Sequence, residues 1–216
     1  MKKPNPLPIF ERISVSQIPL ASIGIAYGGT KMTEFYGCYR AQLPFAKLNG
    51  GITRFPYMPA PYHAFFIGED GDTLNVGATR TLIPIWEHFR STRRIDVITV
   101  SDLTDVVRHA MSLEARYDYD RAKPGLQGVT YPILDFLRQE PLLRWIPPSR
   151  RTFCSEDVAK RFRKYEYIVT ARHYELTDPW DLVMYAMAHA PIFAIHNVWT
   201  GPDYAKKYGV EPWNGS

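Results

Sequence analysis

Cysteine is scarce in this chain. Two cysteines, Cys38 and Cys154, stand far apart among 216 residues, which fits neither a disulfide framework nor a CxxC site and leaves a free thiol as the expectation. No HxxxH, HExxH or CxxC spacing occurs, so metal chemistry has little to build on and no cofactor is expected. A GxSxG elbow and a glycine-rich phosphate loop are missing too, which argues against a serine hydrolase and a nucleotide-binding protein. Long apolar runs are also lacking. The longest tract, 182–199, is interrupted by His189, Pro191, His196 and Asn197 and falls short of the roughly 20 residues a membrane helix needs. The first residues begin like a signal n-region, but Glu11, Arg12 and several prolines break what should be an apolar core, so no signal peptide is expected.

What is present describes a globular protein. Hydrophobic residues at 45% and charged residues at 22% exclude general disorder. The formal charge is +4, with positive residues gathered at Arg90, Arg93 and Arg94, at Arg150 and Arg151, and over 160–164. Such clusters suit nucleic acid, anionic lipid or an acidic wall polymer, yet a solvated basic face looks the same and is the default, so nucleic acid is not expected as a partner.

Residues 1–12 hold three prolines and read as an extended arm suited to docking on an assembly partner. Short strands follow over 13–39, with a turn at Gly28-Gly29 and strand-forming aromatics in 33–40. A loop opens at Gly50-Gly51 and carries Pro56, Pro59 and Pro61. The clearest hairpin joins 62–68 to 73–79 across an acidic glycine turn. The segment 83–90 is ambiguous, and 95–100 is a buried-type strand. Ser101 or Asp102 caps a predicted helix over 103–113, and 116–128 reads as a loop with aromatic anchors. The stretch 131–145 is partly helical. A helix over 155–164 follows Pro147-Pro148, and another starts at Pro179, capped by Thr177 or Asp178. A closing strand at 192–199 and a tail or small helix over 201–216 complete the chain.

Cys154 stands where the 155–164 helix begins. Glu156 and Asp157 fill the first turn, and Lys160, Arg161 and Arg163 follow. Free N–H groups and the helix dipole favour an anion at that end, which lowers a thiol pKa towards neutrality. A small buried residue is the other reading of the same cysteine. A thiolate nucleophile needs a base, and six histidines are available. His63 lies on the hairpin strand beside the proline-stiffened loop, a rigid place for a catalytic ring, although a strand histidine with an ordinary hydrogen bond has the same pattern. His88 and His109 fall at surface or helix positions, and His173, His189 and His196 follow the cysteine.

The order of His63, the hairpin ending Thr-Leu-Asn-Val-Gly-Ala, Arg116-Tyr117-Asp118-Tyr119, Phe153-Cys154-Ser155-Glu156 and Thr177-Asp178-Pro179-Trp180-Asp181-Leu182 resembles the circularly permuted papain-like hydrolases. These are the permuted NlpC-type amidases related to lecithin:retinol acyltransferase. The resemblance covers about 52–185. It implies an α+β fold with a small antiparallel sheet packed on the Cys154 helix, organised as an arm with short strands (1–51), a hydrolase domain (52–200) and a tail (201–216). It implies Cys154 as nucleophile, His63 as base, and the Cys154 backbone N–H in the oxyanion hole. Family members often carry His or Glu on the second hairpin strand, whereas this chain offers Asn75, Gly77 and Thr79. Asn75 is the choice, on condition that an odd-length turn places it on the His63 face; without it the enzyme would be slow or inactive. Tyr117 and Tyr119 line the substrate cleft or pack in the core.

The resulting expectation is a cysteine hydrolase of an amide bond, with peptidoglycan as the first substrate and lipid esters or amides after it. The alternative is a catalytically weak structural or interaction protein of the same fold, such as a phage virion component. The expected location is cytoplasmic or virion-associated, with lysis, a partner or a virion providing any route out of a cell.

Overall fold

The two strands most deeply buried along their whole length lie side by side in the middle of one sheet. The computed structural model describes residues 5–28, 57–76, 80–121, 154–171, 173–174 and 177–216. Ser22–Tyr27 (β3) is buried at every position, and Arg94–Val100 (β8) at all but Thr99. Strands covered on both faces belong in a sheet interior. Around them run Glu11–Arg12 (β2), Pro61–Ile67 (β5), Asp72–Val76 (β6), Arg80–Pro84 (β7) and Phe193–Thr200 (β9), in the order β2-β9-β8-β3-β5-β6-β7. Every neighbouring pair is antiparallel except β2 with β9. Asn5–Pro6 (β1) and Tyr57–Met58 (β4) pair separately in parallel.

Alternation along these strands divides the core in two. Ile23, Ile25, Ala64, Phe66, Ile98 and Val100 face Asp105–Arg121 (α2), Cys154–Lys164 (α3) and Pro179–Ala188 (α4), whose Met111, Val158, Phe162, Trp180 and Val183 complete that layer. Ala26, Phe65, Ile67, Ile95 and Val97 face the short helix Ile85–Ser91 (α1) through Ile85 and Phe89, with Ile13, Val15 and Ile18 covering the same side. The helix Pro202–Tyr208 (α5) ends on Gly209, whose φ of 68° is the left-handed geometry a terminating glycine supplies.

The architecture is α+β, as the sequence implies, but the sheet is larger than expected and is not purely antiparallel. β3 enters between β5 and β8, so the segments 1–51 and 52–200 share one sheet, and the tail is joined to it by an isolated bridge from Trp213 to Thr200. The described residues of the arm expected to dock on a partner lie against their own chain: Leu7 is buried, β2 pairs with β9, and Pro8 O accepts from Arg94. α2 runs to Arg121, so 116–121 is helix and not loop. Its cap is Thr104, whose Oγ1 accepts from Val107 N at 3.4 Å, and not Ser101 or Asp102. The capping box Asp178–Asp181, with Pro179 in the first turn, starts α4 as predicted. The stretches 33–40 and 131–145, Cys38, Arg150 and Arg151 lie outside the described residues.

Candidate active site

Two irregularities of β5 create the site. Tyr27 pairs with Pro61 and Ala26 with His63, so Tyr62 is the extra residue of a β-bulge. A bulge re-aims side chains, and the Tyr62 and His63 rings lie stacked at 6.3 Å and 29°. On the opposite edge, β6 pairs with β5 only at Phe66 and Ile67. The β5 edge at Ala64 is thereby left without a ladder partner among the described residues, and its N–H reaches the Cys154 sulfur.

Cys154 is the first residue of α3, a free and half-buried thiol. Its helix follows from local chemistry: Glu156 and Asp157 sit at the positive end, Arg161, Arg163 and Lys164 at the negative end, and Val158, Ala159 and Phe162 form the buried stripe. Ser155 Oγ donates to Thr177 O at 2.6 Å, tying the start of α3 to the approach to α4. Burial raises the thiol pKa, but the His63 charge and hydrogen bond, with the N–H groups of Ala64 and Ser155, outweigh it, and the net shift is downward. Cys154 is thus set up as a thiolate.

A second histidine completes the arrangement. His88 on α1 is buried, its ring centroid 6.0 Å from that of His63 and stacked on Phe65 at 4.0 Å and 4°. At 6.0 Å the two imidazoles meet through packing and electrostatics, not through a direct hydrogen bond. Thr73 Oγ1 donates its only proton to Ile83 O at 2.7 Å and therefore accepts from His88 Nε2 at 2.8 Å. That assigns the proton to Nε2 and keeps Nδ1 as a lone pair. Burial first, and then the His63 charge, lower the His88 pKa to about 3, so the ring stays neutral. Gly24 makes room for this stack, because a Cβ there would lie 2.0 Å from the Phe65 ring.

Tyr62 is the other group at the thiol. Burial, followed by the Cys154 charge, raises its pKa to about 12, so its hydroxyl keeps its proton and can donate.

Of the residues expected from sequence, His63 and Cys154 are brought together. Asn75 takes a β6 position on the His63 face, since Ile67 pairs with Thr73 across an odd-length turn; its side chain lies outside the described residues, as do those of Tyr117 and Tyr119 on α2. His109 is exposed near Glu69 at 3.6 Å, and His196 lies 3.5 Å from Glu11. His88, expected at a surface or helix position, is on a helix and faces inward: Ile85, His88 and Phe89 share one helical face, a spacing that marks the buried side. Tyr62 carried no such signal. Among the described residues, no group of His, Cys, Asp and Glu is arranged to hold a metal ion, and no helix is long and apolar enough to cross a membrane.

The fold and site together define an α+β protein with a cysteine–histidine pair at a helix start. No protein-family model matches the chain, and no curated protein matches it significantly.

Proposed function

We propose that this chain is a cysteine hydrolase of the permuted papain-like kind, cleaving an amide bond, with peptidoglycan peptides as the first substrate class. The observation that carries the reading is the Cys154 thiol at the start of α3, hydrogen-bonded to His63 and held below its ordinary pKa. In the proposed reaction the Cys154 sulfur attacks the carbonyl carbon and the C–O π electrons move to oxygen. The Tyr62 hydroxyl and the backbone N–H groups at the start of α3 stabilise that oxyanion. Protonated His63 gives its proton to the departing nitrogen as the C–N bond breaks, leaving a thioester. Water then gives a proton to His63 and its hydroxyl to the thioester carbon, releasing the acid and restoring the thiolate. His88 is a positioning residue that packs beside His63 without taking up charge.

The alternative, a catalytically weak structural or interaction protein of the same fold, is motivated in part by the N-terminal arm, whose described residues are engaged within the molecule, and in part by the open identity of the third catalytic residue. Lipid esters and amides remain the second substrate class. The test is the pH dependence of iodoacetamide alkylation at Cys154, followed by turnover of muropeptides. The expected result is a Cys154 pKa well below the free-thiol value of about 8.5 that rises in His63→Ala, with turnover lost in Cys154→Ala. A thiol that titrates ordinarily with and without His63 removes the physical basis of the hydrolase.

A further inference from the structure

The C-terminal half of α3 carries charge that this chemistry does not use. Lys160, Arg161, Arg163 and Lys164 line a cleft of about 480 Å³ together with Glu114, Asp157 and Tyr174. Among the described residues, four cations there face two carboxylates, and both carboxylates are already engaged. Glu114 meets Lys164 Nζ at 2.8 Å and accepts from the Tyr165 hydroxyl at 3.0 Å; these partners overcome burial and lower its pKa. Asp157 meets Arg161 at 3.4 Å, and the Arg161 guanidinium lies over the Phe66 ring at 5.3 Å. The surplus positive charge therefore falls to Lys160 and Arg163, which are exposed and enter no ion pair among the described residues.

A second cleft, of about 490 Å³, shares Arg163 and Tyr174 with the first and continues along Tyr167, Ile168 and Tyr185. Its walls are mostly aromatic and aliphatic, with Thr170 and His173 as the polar residues besides Arg163. Ile168 is 49% exposed there, an apolar side chain left in water beside a concave surface. Each cleft falls in the size range of small-molecule sites, roughly 300–1,000 Å³.

We propose that the two clefts form one binding site for an amphipathic anion. Its phosphate or carboxylate head sits over Lys160 and Arg163, and its apolar tail lies along Tyr167, Ile168 and Tyr185. Arg163 stands at the junction, where charge attraction and stem packing act together. The site is displaced along α3 from Cys154 and does not depend on the catalytic reading.

Calorimetric titration of the full chain with octyl phosphate, octanoate, inorganic phosphate and octanol tests this. At least one amphiphile is expected to bind roughly tenfold more tightly than inorganic phosphate or octanol, since only it gains both the charged and the apolar contact. Arg163→Glu is expected to weaken that binding about tenfold or more through reversed charge. Ile168→Asn, which removes the apolar contact without adding charge, is expected to weaken it similarly while leaving inorganic phosphate binding unchanged. Both changes are at exposed positions, and circular dichroism checks that the fold is kept. Parity of both amphiphiles with inorganic phosphate, or unchanged affinity in Arg163→Glu, overturns the proposal. Loss of amphiphile binding in Cys154→Ala also overturns it, because the ligand would then occupy the catalytic site.

Discussion

Cys154 is the meeting point of opposed effects: burial protects the thiol proton, while His63 and two backbone donors withdraw it. The same environment acts on its neighbours in the sense their charge dictates. Tyr62, which would become negative, keeps its proton, and His88, which would become positive, refuses one. Tyr62→Phe is therefore expected to lower kcat on the order of 10²-fold, the usual cost of one oxyanion donor, while Cys154 alkylation persists; unchanged kcat would take Tyr62 out of the mechanism. His88 also predicts a stability profile. Its folded pKa of about 3 lies below the ordinary 6.5, so the unfolded chain binds the proton first as pH falls. The His88 contribution is thus complete above pH 6.5 and lost between 6.5 and 3, by up to about 1.4 kcal/mol per pH unit. Urea unfolding across that range should show a shallower slope in His88→Gln. An unchanged slope would place the titration on another group.

At the scale of elements, α3 ends in a reciprocal pair of bonds, Tyr167 N to Phe162 O at 3.1 Å and Glu166 N to Arg163 O at 3.0 Å. This termination puts its penultimate residue in the left-handed region, and Glu166 has a φ of 68°. Glycine adopts that conformation without a Cβ penalty, so Glu166→Gly should stabilise the protein by roughly 0.5–1 kcal/mol. A lower denaturation midpoint would show that the glutamate side chain makes up for the strain. α3 itself was legible because everything that specifies it is local: acidic start, basic end, an apolar stripe and the thiol at the first position. The hairpin was legible for the same reason, and its odd turn put Asn75 on the intended face. α2 was read too short because Tyr117-Asp118-Tyr119-Asp120 resembles a loop, although no proline or glycine interrupts it before Pro124. His88 and Tyr62 were missed for different physical reasons. His88 reaches His63 only after β6, β7 and α1 have folded back over one sheet face, and the Tyr62 bulge is a matter of register with β3, which no residue pattern in β5 announces.

For the whole molecule the decisive unit is Arg94. Its guanidinium is buried and donates to Asp96 Oδ1 at 2.9 Å, the Tyr204 hydroxyl at 3.0 Å and Pro8 O at 2.8 Å, while Asn197 Nδ2 adds a bond to Asp96 at 3.0 Å. Burial favours the neutral carboxylic acid at Asp96, and Arg94 opposes this. Removing one partner of such a pair leaves a stranded charge, so Arg94→Met should destabilise by about 3–5 kcal/mol. Arg94→Met with Asp96→Asn should cost less than the single change. Equal melting temperatures for single and double variants would show that the pair is not what holds these segments. The same guanidinium grips the carbonyl at position 8 and the hydroxyl at position 204, and Arg12 ties the same two regions again through Glu211 O at 2.6 Å. Resistance to proteolysis should accordingly be shared between them: a cut that frees the arm loosens α5, and a protease attacking either segment should open both at nearly one rate.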